Sequence, residues 1–325
     1  MRHVDFLIAR AKIVRAIRAF FDARGFVEVE TAVRIPAPAP EEHIDCPPCR
    51  DGGYLRASPE LQMKKLLAAG MDRIYQIGPC FREGERGARH NPEFTMIEWY
   101  RKGATYLDIA ADLEALLTTL GLGKSASTAG DRPPTGGACP QRLTVREAYL
   151  KYAGWDPWTD WNQDRFDFDM ATKIEPVLKA LGEGIFLMDY PPQAASLAKL
   201  SKIDDFRTDS DVAQRGLSPK ERGLSPTISG GLSPGVYAER WEFYWDGMEL
   251  ANCFTELCDE AEQRARFVAA KANRQALAEA DYPLDEDFLS SLPRIGSAAG
   301  VALGIDRLVM VLTGAKEIAS VRAPL

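Results

Sequence analysis

Two stretches of this chain hold residue types that could do chemistry. The first is Phe81-Arg82-Glu83-Gly84-Glu85-Arg86-Gly87-Ala88-Arg89-His90-Asn91-Pro92-Glu93-Phe94. An apolar run ends in an arginine, a charge-dense loop follows, and a second apolar run begins beyond His90. The second stretch is Gly300-Val301-Ala302-Leu303-Gly304-Ile305-Asp306-Arg307, where a glycine-containing run leads into another arginine. Guanidinium groups are planar and permanently charged, and they grip phosphate or carboxylate through paired hydrogen bonds. Arginines fixed at strand ends therefore suit a reaction that must bring anions together. Taken singly, each residue has a plainer explanation, because a lone arginine is usually solvated and a strand phenylalanine is usually core.

Other chemistries find less support. Three histidines are too few for a His-based triad or a multi-histidine metal site. No G-x-S-x-G elbow occurs. Gly121-Leu122-Gly123-Lys124-Ser125 looks like the end of a phosphate-binding loop, but Thr118 stands where that pattern requires glycine. Cys46-Pro47-Pro48-Cys49 lacks a second ligand pair, His43 is a poor substitute, and the segment reads as loop.

The elements that must position the two stretches are legible in the hydrophobic pattern. Residues 4–24 read as an amphipathic helix ended by Gly25, and 26–30 as a strand. Prolines make 31–53 a loop. Helices are expected at 61–69 and 107–120, with two strands at 73–81 and 93–100 around the polar turn. Residues 143–182 read as mainly helical and 184–190 as a strand. The segments 239–244 and 248–256 read as paired strands, with Asp246-Gly247 as their turn. A charged helix covers 259–280. Strands and helices do not alternate as βαβ, so an antiparallel α+β domain is the expected class. Residues 121–142 and 207–235 read as exposed flexible insertions in a single domain. The second carries Gly-Leu-Ser-Pro three times.

The chain has 325 residues, 46% hydrophobic and 27% charged, which is enough for one or two sizeable cores. A net charge of −7 weighs against a surface that grips nucleic acid throughout, while leaving room for a local basic cleft. No apolar run is long enough for a bilayer span and the N-terminus has no signal-peptide core, so the cytoplasm is the expected location. The six cysteines are then expected to be thiols.

The two stretches resemble motifs 2 and 3 of the class II aminoacyl-tRNA synthetases. Ser58-Pro59-Glu60, His90-Asn91-Pro92-Glu93-Phe94-Thr95, Glu98-Trp99-Tyr100 and Glu249-Leu250-Ala251-Asn252 resemble the lysyl branch. That resemblance implies the class II catalytic fold, an antiparallel sheet flanked by helices, usually as a homodimer. It implies ATP and Mg²⁺ as cofactors and an aminoacyl-adenylate as intermediate. By the resemblance, Arg82 contacts the α-phosphate and the attacking carboxylate, and Arg307 the γ-phosphate, as the catalytic pair. The ATP site further takes Glu83, Gly84, His90, Asn91, Phe94, Glu249, Leu250 and Gly304, with Phe94 stacked on adenine. Ser58, Pro59, Glu60, Tyr100, Asn252, Glu256 and Ala302 surround the amino acid. Glu249 and Glu256 correspond to the magnesium-binding pair. The physics agrees: an ionised carboxylate attacking ATP needs no general base, only positioning and fixed positive charge.

The first helix starts almost at the N-terminus, leaving no room for the anticodon-reading OB-fold domain of a lysyl-tRNA synthetase. The chain thus also resembles the stand-alone ligases that attach (R)-β-lysine to elongation factor P, and no stable tRNA binding is expected. Ala302, where the tRNA enzymes tend to have glycine, fits that branch, as does Met63-Lys64-Lys65-Leu66. The chain departs from the family at Ala32, where motif 1 usually has proline. It also has Arg82-Glu83-Gly84 where the family tends to have Arg-Asn-Glu, which leaves Glu83 or Glu85 to supply the missing acid. Two other readings stand beside this one: an adenylating enzyme with a different acceptor (tRNA, lipid or small molecule), and an inactive regulatory paralogue.

Overall fold

The computed structural model describes residues 2–42, 44–122, 140–182, 184–202 and 235–323. Most of both expected insertions, including the Gly-Leu-Ser-Pro repeats, lies outside the described residues, as do His43 and Cys139. Contacts divide the chain into two compact units, one made of Met1–Leu122 with Glu256–Leu325 and one of Gly123–Thr255.

The first unit opens with helix α1 (His3–Asp22), whose first turn is closed by the Arg2 amide donating to Asp5. Gly25, at φ +72°, ends the chain's run along the helix, where a side chain would be strained. Strand β1 (Val27–Glu28) is far shorter than the alternating pattern at 26–30 suggests, because the chain leaves the sheet after pairing with two residues of a neighbour. Strands β2 (Arg34–Ile35) and β3 (Tyr54–Leu55) form a small separate pair inside the proline-rich loop. Helix α2 (Glu60–Ala68), strands β4 (Arg73–Phe81) and β5 (Glu93–Lys102) and helix α3 (Tyr106–Thr119) follow near their predicted places.

The second unit holds β6 (Gln141–Thr144) and α4 (Val145–Ala148), then α5 (Gln163–Asp169) and α6 (Glu175–Leu181). Strands β7 (Ile185–Tyr190), β8 (Leu200–Lys202), β9 (Val236–Trp245) and β10 (Met248–Thr255) complete it. The mainly helical expectation for 143–182 holds: a π-helical turn (Tyr149–Ala153) extends α4 and another (Met170–Ile174) joins α5 to α6, with turns between the two helical runs and the end of β6 at the start. The β9–β10 hairpin turns at Asp246 and Gly247, both at positive φ, as its sequence predicts. Within this unit β10, β9, β7 and β6 are neighbours in that order, and β8 pairs with β9. Phe186 packs its ring against Trp241 and Phe243 in the core.

The chain returns to the first unit with α7 (Glu260–Ala276), α8 (Glu286–Ser291), β11 (Ala298–Gly304) and α9 (Ile305–Thr313). Its sheet runs β1, β4, β5, β11. The first pair is parallel and the other two antiparallel. One face of the sheet is sealed by Phe21, which lies 5.0 Å from the Tyr75 ring and 5.1 Å from Trp99. Trp99 faces that core, so its strand neighbours Glu98 and Tyr100 face the other way. The buried Arg56 guanidinium ties the loop down by donating to the Thr31 and Ala32 carbonyls, which fixes the backbone at Ala32. Among the described residues no helix is long and apolar enough to cross a membrane.

Candidate active site

The first unit gathers two groups of functional side chains. One is cationic and sits at the end of β4 and the start of α9. Arg82 directly follows β4; its guanidinium lies 5.2 Å over the Phe94 ring on β5 and donates to Glu85 at 3.3 Å. Glu85 therefore supplies the acid beside Arg82, whereas the Glu83 side chain is exposed and only its amide is held, by the Asp45 carbonyl at 2.8 Å. Gly84 takes φ +78°, which any side chain would strain. Asn91 donates to the Glu93 carbonyl at 2.6 Å and so pins the end of the loop. His90 Nε2 lies 2.7 Å from the Arg307 guanidinium. Burial, then the charges of Arg307 and Arg82, hold the His90 imidazole below its usual range, so at neutral pH it is the uncharged form.

Arg307 owes its place to its neighbour. Gly304 caps α9, and Asp306 in the first turn is buried. Asp306 accepts from Arg10 of α1, from the Thr95 amide at 2.9 Å and from Arg322 at 2.9 Å. One carboxylate thus ties α1, β5, α9 and the C-terminal segment together, and α9 cannot rotate without breaking that set.

The second group is acidic. Glu98 and Tyr100 lie two apart on β5 and share one face. In register opposite them on β11 stand Ala302 and Gly300, both small. A Cβ at Gly300 would come 2.1 Å from the Tyr100 ring and 3.0 Å from Glu256 Oε1, so the ring and the carboxylate fill the space that glycine leaves. Ser58 donates to Glu98 at 2.6 Å and accepts from the Glu60 amide at 2.9 Å, while Pro59 caps α2. Tyr100 donates to the other Glu98 oxygen at 2.7 Å. Lys64, one turn along α2, places its ammonium 2.5 Å from Glu60 and in an ion pair with Glu256. Burial, reinforced by the charge of Glu60, pushes Glu98 up to about 7 despite its two hydrogen bonds. Burial pushes Glu256 up to about 8, against the pull of Lys64. Burial alone would lower the Lys64 ammonium, but the two carboxylates outweigh it and hold it charged.

In the second unit, Arg240 stands 4.4 Å over the Tyr190 ring and donates to Asn252 at 3.0 Å and to Glu242 at 2.6 Å. The Asn252 oxygen is thus occupied and its amide nitrogen is left to donate. Glu249 is half-buried on β10, and the pairing slips at the following residue, Leu250, whose side chain is buried.

A magnesium site built on both Glu249 and Glu256 does not fit. The Glu256 side chain has no exposure and already faces the Lys64 ammonium, whereas Mg²⁺ keeps several waters among its ligands. Among the described residues no three His, Cys, Asp or Glu side chains gather as a metal cluster.

Glu98, Lys64, Asp306 and Arg240 were not singled out as site residues from the sequence. For two of them the signal was present. Glu98 lies two residues from Tyr100 on a strand, and Lys64 lies four from Glu60 on a helix, so each shares its neighbour's face. Nothing local reports that Glu256 reaches Lys64.

Comparison with known proteins finds relatives over almost the whole chain. The elongation factor P–(R)-β-lysine ligase of Proteus mirabilis is 34% identical over 350 residues, covering 98% of this chain and 94% of that protein. The protein of the same name from Vibrio cholerae is 34% identical over 336 residues, covering 97% and 93%. The lysine–tRNA ligase of Moorella thermoacetica is 35% identical over 343 residues, covering 97% of this chain and 63% of that protein. Residues 2–323 match the family described as tRNA synthetases class II (D, K and N), and the chain belongs to that family.

Proposed function

We propose that this protein uses ATP to activate a lysine-type diamino acid, (R)-β-lysine or lysine, as its adenylate and then transfers the acyl group to a lysine side chain of elongation factor P. The observation that carries the reading is the acid pocket of buried Glu98 and Glu256 with half-buried Glu60, in the same unit as the cationic group of Arg82 and Arg307. Acids of that number, enclosed, suit ammonium groups; fixed guanidiniums suit phosphates and the attacking carboxylate.

In the first step a carboxylate oxygen of the amino acid bonds to the α-phosphorus, and the bond to the bridging oxygen of pyrophosphate breaks. Pyrophosphate leaves with the electron pair, and no proton moves. Arg82 bridges the two anions, Phe94 offers a face to adenine, and neutral His90 with Arg307 receives the phosphate tail. In the second step the acceptor amine attacks the carbonyl carbon, AMP leaves, and the amine gives up one proton. Mg²⁺, if it accompanied the nucleotide, would neutralise phosphate charge, and half-buried Glu249 would be the candidate carboxylate to hold it. The likeness to named elongation factor P ligases over almost the full chain supports the acceptor.

The test is pyrophosphate exchange across a panel of amino acids containing both lysine isomers, followed by mass measurement of elongation factor P after incubation with ATP and the active isomer. Exchange with either isomer and a gain of one acyl residue are expected. Exchange without a mass gain, on a competent acceptor, would remove the protein acceptor. The 35% identity to a lysine–tRNA ligase favours tRNA as the second reading, checked by acid-precipitable charging of tRNA.

A further inference from the structure

Lys64 is a lysine on the buried face of a helix, its side chain only 2% exposed. Leu61, Met63 and Leu67 of the same helix are also buried. A buried ammonium persists when carboxylates face it, and here Glu60 of its own helix and Glu256 do. From β5, Glu98 and Tyr100 face the same space, and β11 contributes the uncharged Gly300 and Ala302. When all three carboxylates are ionised, the one ammonium leaves two negative charges in the pocket; burial opposes that state, and entering ammonium groups favour it.

The ammonium takes one oxygen from each partner, Glu60 Oε1 and Glu256 Oε2. Glu256 Oε1 is fully buried and accepts no hydrogen bond. It lies on the side where Gly300 omits a Cβ. The pocket thus encloses an acceptor with no hydrogen bond beside the Tyr100 ring, and Lys64 holds its carboxylate there.

We propose that Lys64 is a specificity-determining positioning residue, whose ammonium cancels one pocket charge and fixes Glu60 and Glu256 so that two negative charges remain for the two ammonium groups of the amino acid. This rests on reading the pocket as the amino-acid subsite. An amino acid with one ammonium leaves a buried carboxylate without a partner, which the enclosed site penalises. A diamino acid closes the balance.

Pyrophosphate exchange of the full chain with lysine tests it, in the wild type, Lys64→Met and Lys64→Ala. Lys64→Met keeps the apolar stem and loses the charge. The KM for lysine is expected to rise about tenfold or more with kcat changed little. Lys64→Ala is expected to lose as much, and added propylammonium, which fits the vacated space, to lower its KM while leaving that of the wild type no better. A Lys64→Met KM equal to the wild type overturns the proposal, as does a loss in KM and kcat together that the amine does not relieve. Should the single variants not fold, Lys64→Met combined with Glu60→Gln returns the pocket to two negative charges. That double variant is expected to fold and to keep preferring lysine to norleucine, and its failure to do either also overturns the proposal. A wild type inactive with every diamino acid removes the subsite reading and Lys64's role with it; an active wild type with indifferent variants removes Lys64's role alone.

Discussion

Arg82 is tied to the protein by a loose contact with Glu85 and by its position over Phe94, with both partners of the ion pair partly open to solvent. Its guanidinium is therefore available to an incoming anion, and its removal leaves no buried charge behind. Arg82→Ala is expected to cut kcat/KM for pyrophosphate exchange by about a thousandfold, in line with loss of a preorganised charge, with an unchanged circular dichroism spectrum and melting temperature. Retention of near-normal exchange would show that another cation bridges substrate and ATP. Glu98 is the contrasting case. It is fixed by Ser58 and Tyr100 and held up to about 7, so it becomes a full anion only near neutrality. The KM for lysine is accordingly expected to fall as pH rises from about 6 to about 8, since the ammonium groups bind the ionised carboxylate. In Glu98→Gln the KM should be higher and that pH dependence shallower; a wild-type KM flat across the range would contradict the role given to Glu98.

At the scale of elements, the acid pocket exists because β5 and β11 pair in one register. A strand shows alternate residues to each face, so that register places Glu98 and Tyr100 opposite Ala302 and Gly300. Gly300 is required by approach rather than by backbone angle, for a Cβ there would lie 2.1 Å from the Tyr100 ring. Gly300→Ala is expected to lower stability by about 1–3 kcal/mol, as overpacking does, and to raise the KM for the amino acid by pushing Tyr100 off Glu98. Chemical denaturation and exchange kinetics read the two effects separately. An unchanged melting temperature and KM would mean that the ring moves without cost. Asp306 does the corresponding work on the cationic side, holding α9 through Arg10, Thr95 and Arg322 while its neighbour Arg307 faces His90.

For the whole molecule, the pocket leaves a signature in stability. Glu98 and Glu256 are raised from 4.5 to about 7 and about 8 by burial. Between those values and 4.5 the folded state binds protons that the unfolded state releases. Their contribution is present below the unfolded value and is lost as pH rises through the folded values. The ligand-free protein is therefore expected to melt at lower temperature at about pH 8 than at about pH 6, and lysine with ATP to reverse much of that loss. Glu98→Gln should flatten the slope. At the acid end the order inverts, because hydrogen bonds from Lys271 to Asp281 and from Arg264 to Glu286 hold those carboxyls below the ordinary range.

Much of this was determined by the sequence alone. The spacing of apolar residues marked α1, α2, β4, β5, α3 and the β9–β10 hairpin, because helix and strand periodicity are local properties of the chain. Arg82, Phe94, His90 and Arg307 stood out as a set, through the resemblance of their two stretches to known motifs, since each taken singly has a plainer explanation. Only the tertiary structure decided the rest. It gave Glu85 rather than Glu83 to Arg82, made Asp306 a junction, and brought Glu256 against Lys64, residues 192 positions apart by their numbers. It also moved Glu256 from a metal ligand to a partner of an ammonium. Local pattern says which face a side chain takes; what meets it there, and hence its charge and its chemistry, is set by long-range packing that removes water and brings distant charges into one enclosure.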